Sequence, residues 1–224
     1  MERRRFSFSG LSFALMGGFG LEVHAALDQT DAAAGARLAM ERGANAAVDL
    51  LARPDGFLGN PKVRIPLPGV LNDAAKLLKA TGQSKRVDEL VTAMNRAAEA
   101  AVPEARSLLV NAAKSMSAED ALGIVRGGET SVTDYFARTT REPLTLKFLP
   151  IVKRETAKVS LADKYNAVAG KASSVGLLKK QDADLDSYVT GKALDGLFLM
   201  IGEEEKKLRN DPLGAGSQLL KKVF

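Results

Sequence analysis

Apolar residues recur at every third or fourth position along this chain from end to end, and no run alternates apolar with polar residues as a half-buried strand does. The period predicts an all-α fold, a single compact domain of about eight or nine helices. Thr30 or Asp31 is placed to cap a first helix running to about Ala52, with Leu38, Leu50 and Leu51 on its apolar side. Arg53 to Pro68 (RPDGFLGNPKVRIPLP) then breaks the period, because four prolines and two glycines exclude a helix. Phe57, Leu58, Val63, Ile65 and Leu67 make this segment too apolar for a free linker, so it is expected to lie on the core as one long proline-rich loop.

A helix is expected over Gly69–Ala80, with Gly82 placed to end it in a left-handed cap. Ser84 caps the next, in which Val87, Leu90, Val91 and Met94 share a face. Pro103 stands where a first-turn proline opens a helix through Leu108, Leu109 and Ala112. Ser117 with Asp120, and again Ser131 with Asp134, resemble capping boxes with Asp in place of Glu, and Gly127-Gly128 separates the two helices they open. Glu142-Pro143 opens a further segment through Leu146, Leu149 and Val152, which Pro150 is expected to kink or split. An amphipathic piece covers Leu161–Ala172, and the longest helix runs from about Asp184 to Arg209 on a stripe of Leu194, Leu197, Phe198, Ile201 and Leu208. Asp211-Pro212 starts a last helix carrying Leu219, Leu220 and Val223.

The N-terminus departs from this pattern and reads as an address. Arg3, Arg4 and Arg5 form a positive n-region, Leu11 to Leu21 a short apolar h-region, and Val23-His24-Ala25 a processing site, with cleavage expected before Ala26. The division is therefore a signal peptide at 1–25 and a helical domain at 26–224, with a periplasmic or secreted destination. The h-region falls well short of the roughly twenty apolar residues that span a bilayer, so the processed chain is not expected to be an integral membrane protein. Arg3-Arg4-Arg5-Phe6 also fits the core of a twin-arginine signal, although Glu2 and Ser7 depart from the fuller pattern, and both export routes stay open.

Composition narrows the chemistry. The chain has no Cys and no Trp, and its one histidine, His24, lies within the expected signal peptide. Without Cys there is no lipoprotein thiol and no disulfide. Without Cys or His there is no thiolate or imidazole metal site and no Ser-His-Asp or Cys-His nucleophile system, and no metal or cofactor is expected. The 32 Lys and Arg against 27 Asp and Glu give +5; loss of Arg3, Arg4 and Arg5 with Glu2 and Glu22 leaves +4. The charges are interspersed, with no like-charge block and no basic-aromatic interleaving, so nucleic acid is not an expected partner.

Several phrases have a familiar look: Pro54-Asp55-Gly56-Phe57 with Asn60-Pro61-Lys62-Val63-Arg64-Ile65-Pro66, Met94-Asn95-Arg96-Ala97-Ala98-Glu99, Tyr135-Phe136 with Arg138-Thr139-Thr140, Lys164-Tyr165-Asn166, Lys192-Ala193-Leu194-Asp195-Gly196-Leu197-Phe198, Asp211-Pro212-Leu213-Gly214, and Leu219-Leu220-Lys221-Lys222-Val223-Phe224. Together they resemble an exported proteobacterial family known as domain of unknown function 4197, across essentially all of the chain after residue 25. The resemblance implies an exported, helical, single-domain protein and brings no activity or site residue with it.

Candidate sites rest on the residues alone. Glu203-Glu204-Glu205 is the densest acidic run, but successive helical residues point about 100° apart, so a solvated face paired with Lys206, Lys207 and Arg209 is the expected role. Asp182, Asp184 and Asp186 alternate like a calcium loop but lack its Gly and its closing Glu, which makes a helix N-cap the better account. Glu99, Glu104, Asp134, Glu142 and Asp195 are available for paired-carboxylate chemistry if two meet in a cleft. Gly196 is read as a close-packing position, with Asp195 and Lys192 lining a pocket as the alternative. Tyr135, Arg138, Thr139, Thr140 and Arg141 offer an anion site or ordinary capping. The 53–68 loop offers Phe57, Lys62 and Arg64 either as a binding loop or as a core-covering strap.

The ligand-binding candidates are therefore Phe57, Lys62, Arg64, Tyr135, Arg138, Thr139, Lys192 and Asp195. The expected function is a non-enzymatic module of the cell envelope that binds an envelope protein or a small ligand. A carboxylate-based hydrolase or lyase acting on cell-wall or sugar substrates is the alternative.

Overall fold

A computed structural model of the chain describes residues 19–69, 80, 82, 84–159, 162–163, 165–166 and 184–211. Among them there is no strand, and the helices form a single compact all-α domain. They are α1 (Phe19–Leu51), α2 (Ser84–Ala101), a 3-10 turn (Val102–Glu104), α3 (Ala105–Ser115), α4 (Ala118–Arg126), α5 (Ser131–Thr156) and α6 (Leu185–Asn210). The described residues thus hold six α-helices rather than eight or nine. One reason is that two expected helices are one. The expected pieces over 69–80 and 161–172 and the last helix after Pro212 lie wholly or largely outside the described residues, as do the arginines at 3–5 and most of the h-region.

The merged helix is α5, which runs through Pro143 and Pro150 without a break. Each proline removes one N–H and frees a carbonyl four residues back. Pro143 is only half-buried, Pro150 is exposed, and Thr139 and Leu146, whose carbonyls are freed, are also exposed. Packing carries the helix past both. Val132, Phe136, Thr140, Leu144, Phe148, Val152 and Thr156 are all buried, one every fourth residue. On a helix of 3.6 residues per turn such a row drifts about 40° per step, or about 240° over its length. The buried band therefore winds around α5, and α2, α3, α4 and α6 each cover part of it. That placement makes α5 the hub of the fold.

α1 begins at Phe19 and crosses the expected processing junction rather than starting at Thr30 or Asp31. Its buried side is mainly alanine, with Ala33, Ala36, Ala44 and Ala47 beside Met40, Val48 and Leu51. Leu38 and Leu50, expected on that side, are only half-buried. Gly43 on this side faces α6, where a β-carbon would stand in ordinary contact, 3.7 Å from Leu208 Cδ1.

Helix starts follow the sequence at three points. Ser117 accepts the Asp120 N–H at 3.0 Å, Asp184 accepts the Ser187 N–H at 2.9 Å, and Pro103 opens α3 through the 3-10 turn. Gly82 has the left-handed φ of +77° expected of it. The start of α5 differs. Ser131 is its first residue rather than its cap, and the cap comes from α6. Buried Glu205 accepts the N–H groups of Val132 at 3.0 Å and Thr133 at 3.1 Å. A carboxylate on a helix N-terminus satisfies orphan donors and opposes the positive end of the dipole.

Candidate functional site

The proline-rich segment is a strap whose residues alternate between core and solvent over 63–66. Val63 and Ile65 are buried, Arg64 and Pro66 are exposed, and Leu67 is half-buried. Two polar residues of α2 bind it to the core. Asn95 Oδ1 accepts the Ile65 N–H at 2.8 Å while Asn95 Nδ2 donates to the Ile65 carbonyl at 2.9 Å, so a side-chain amide plays the part of a neighbouring strand. One turn on, Glu99 Oε1 accepts the N–H groups of Phe57 at 3.0 Å and Leu58 at 3.2 Å. Arg96 donates to Glu99 at 2.6 Å and to Asp55 at 2.8 Å, tying the strap's first turn to the same carboxylate. These acceptors hold the Arg96 guanidinium above its usual pKa, the Glu99 bond most of all. Asp55 adopts a left-handed φ of 66°, as Asp tolerates, where the strap turns away from α1.

Phe57, expected as a ligand contact, is fully buried and unavailable to one. Its ring instead meets α6 at Gly196, where a β-carbon would stand 2.8 Å from Phe57 Cε1 and 3.2 Å from Val63 Cβ. The close-packing reading of Gly196 therefore holds.

Between the outer edge of the strap and α6 runs a groove of about 440 Å³. It joins Lys62 and Arg64 on one side to Lys192 and Asp195 on the other, over a floor that includes Val63, Leu67 and Leu199. Four of the eight ligand-binding candidates, from two regions of sequence, thus share one site. Tyr188 Oη donates to the Pro66 carbonyl at 3.1 Å and fastens strap to helix at its end. Lys62 is ion-paired with Glu203 and holds that carboxyl below the usual range. Asp195 is shared, accepting from Arg141 at 3.0 Å and lying 4.0 Å from Lys192.

The Tyr135–Arg141 cluster does not stay together. Tyr135 is buried and donates to the Ala112 carbonyl at 3.2 Å, and burial raises its pKa. Thr139 donates to the Tyr135 carbonyl at 2.8 Å and Thr140 to the Phe136 carbonyl at 2.6 Å, so both hydroxyls serve their own helix. Arg138 lies over the Tyr135 ring at 5.5 Å and reaches Asp120 at 3.4 Å. Arg141 points to α6, onto Asp195 and the Phe198 ring at 5.0 Å. Tyr135 and Arg138 do line a hollow of about 560 Å³, but Glu119, Asp120 and Asp134 line it too, which makes it a poor place for an anion.

The five acids considered for paired-carboxylate chemistry are dispersed. Glu99 lies under the strap, Glu104 pairs with Lys147 at 3.8 Å, Asp134 accepts from Thr130 at 3.0 Å, Asp195 pairs with Arg141, and Glu142 is exposed. The hollow beside α4 is lined by Asp134 alone of the five, and the groove along the strap by Asp195 alone. Nor do three or more His, Asp or Glu of the described residues cluster to hold a metal. Asp184 and Asp186 divide as cap and buried acid, and Asp182 lies outside the described residues.

Sequence reasoning missed Asn95 and misjudged Glu205. The acidic run splits: Glu203 pairs with Lys62 and Glu204 with Lys207, whereas Glu205 is buried. The available signals were positional. Asn95 and Glu99 sit four apart beside the buried Val87, Leu90 and Met94, and Glu205 lies one turn beyond Ile201. A polar residue inside an apolar stripe marks a partner to be found.

The phrases around Gly56, Asn95 and Gly196, distant in sequence, are thus the strap, its clamp and its packing seat. No curated protein and no solved structure matches this chain. The family model described as Protein of unknown function (DUF4197) matches residues 26–224, and the chain belongs to that family.

Proposed function

We propose that this protein is exported and acts in the cell envelope as a helical binding module, with the groove between strap and α6 as its binding site. The observation that carries the binding reading is the meeting of Lys62, Arg64 and Lys192 over an apolar floor, on a strap that Asn95 and Glu99 hold rigid. A preorganised site loses less on binding than one that must be ordered. Export is supported by the n-region, h-region and processing pattern of residues 1–25, and the family match starts at Ala26, where the released chain would start. The released protein acts in the periplasm or outside the cell. Among the described residues no helix is long and apolar enough to cross a membrane.

Fractionation of cells producing a C-terminally tagged chain, followed by N-terminal sequencing, tests export. The expected product lies outside the cytoplasm and begins at Ala26; a cytoplasmic product that retains residues 1–25 refutes it. A photo-crosslinker at Leu199, compared with one at Lys114 on α3, tests binding in the same cells. Adducts specific to position 199 are expected, and equal labelling at both positions would refute the groove as the binding site.

A further inference from the structure

We propose that this groove takes a phosphate monoester carried on an apolar body, with the phosphate between Arg64 and Lys192 and the apolar part along Leu67 and Leu199. The inference rests on the groove being a binding site and adds the chemistry of its ligand.

The cations of the groove differ in how firmly they are held. Lys62 is committed to Glu203. Arg64 is exposed on the strap; its backbone N–H donates to the Asn60 carbonyl at 2.8 Å, but its guanidinium has neither a hydrogen bond nor an ion pair among the described residues. Lys192 lies 4.0 Å from Asp195, whose other oxygen Arg141 holds at 3.0 Å, so Lys192 can turn away and leave Asp195 paired. Two positive charges are then free to face a ligand, and no lining carboxylate is left unpaired. A phosphate monoester near neutral pH carries a charge of about −1.5 to −2 and accepts bidentate bonds from a guanidinium. A single carboxylate would bring only one negative charge to the two cations.

The backbone that carries Arg64 is rigid. Asn95 binds both backbone polar groups of Ile65, Pro66 and Pro68 fix their own φ, and Tyr188 holds the Pro66 carbonyl. The floor is apolar, and Leu199 is 46% exposed, one of two large hydrophobic residues left in solvent among the described residues. The volume of about 440 Å³ lies within the roughly 300–1,000 Å³ of small-molecule sites. The hollow beside α4 has three carboxylates around one arginine, and the one beside α2 balances Lys85 and Lys158 against Asp88 and Glu89. Neither offers a cation without an acid beside it.

Calorimetric titration of the purified chain with decyl phosphate, below its micelle concentration, tests the proposal. Saturable one-to-one binding is expected, at least about tenfold tighter than inorganic phosphate. Arg64→Ala and Lys192→Met should each weaken it about tenfold or more, and Lys114→Met, exposed on α3 and not part of the groove lining, should leave it within about twofold. All three positions are exposed, and unchanged melting temperatures will show that the variants fold. Absence of saturable binding, or binding indifferent to Arg64 and Lys192, overturns the proposal. Decanoate binding as tightly as decyl phosphate overturns the phosphate assignment, and inorganic phosphate binding as tightly overturns the apolar one. A groove that cross-links in cells at position 199 but does not take up decyl phosphate refutes this ligand chemistry alone.

Discussion

Glu99 Oε1 accepts the buried backbone N–H of Phe57 at 3.0 Å, across 42 residues of sequence. A helix side chain here closes a valence that no element of secondary structure could close, because the strap has no neighbouring strand. Glu99→Ala leaves the N–H groups of Phe57 and Leu58 without an acceptor and is expected to cost about 2–4 kcal/mol. Glu99→Gln keeps an acceptor and should cost less than half as much. Urea denaturation of both variants checks the order, and equal losses would show that the strap does not depend on this bond.

Gly196 and Gly191 lie on the same helix and should respond to alanine in opposite directions. At Gly191 a β-carbon meets nothing within 4 Å, so Gly191→Ala should stabilise by about 0.5–1 kcal/mol through helix propensity. At Gly196 the new carbon would stand 2.8 Å from the Phe57 ring, and overpacking of about 1–3 kcal/mol should exceed the same propensity gain. Thermal melts of the two variants in parallel decide it, and stabilisation of both would refute the seat described for Phe57.

Glu205 joins three elements. It accepts from the α5 N-terminus and, through its pair with Arg209 at 2.9 Å, reaches the Ile124 carbonyl at the end of α4, which Arg209 binds at 3.1 Å. Glu205→Ala removes one member of a buried pair and is expected to cost about 3–5 kcal/mol. Glu204→Ala, one residue away, loses a carboxylate that pairs with the exposed Lys207 and should cost no more than about 1 kcal/mol. Chemical denaturation of the two single variants checks the contrast.

Asp186 is buried at the start of α6 and accepts a hydrogen bond from Thr156 at the end of α5. Burial pushes its pKa above the ordinary aspartate value, outweighing the Thr156 bond that favours the charged form; Asp184 also raises it. The folded state therefore holds this proton more tightly than the unfolded chain does. The stabilising contribution is complete below the unfolded value of about 3.9 and is lost as pH rises through the higher folded value. Asp186→Asn should gain most over the parent protein at neutral pH, and the gain should shrink on acidification toward pH 4. Denaturation curves at the two pH values test the sign, and a gain that grows on acidification would refute it.

The helical period made the fold class legible, and local chemistry placed several ends, as at Ser117, Asp184, Pro103 and Gly82. Those features depend on neighbours within four residues, so one sequence contains all that decides them. α5 was not legible in this way. Pro143 and Pro150 argue locally for a break, and only burial of a row from Val132 to Thr156 outweighs them. Its cap was not legible either, since Glu205 arrives from 72 or more residues away.

The same division runs through the candidate site. Lys62, Arg64, Lys192 and Asp195 could be named as chemical types, and the Arg53–Pro68 segment as a loop too apolar to be free. Read alone, the chain's own residues determined an all-α domain and a chain without cysteine whose only histidine stands at position 24. Tertiary structure alone decided that Phe57 is core, that the Tyr135–Arg141 cluster splits, that Asn95 and Glu99 clamp the strap, and that the strap's outer edge meets α6. The physical reason is range. Periodicity, capping and turn chemistry act within a turn or two of chain. Burial, ion pairing and the satisfaction of a buried N–H depend on which distant side chain the packing brings near.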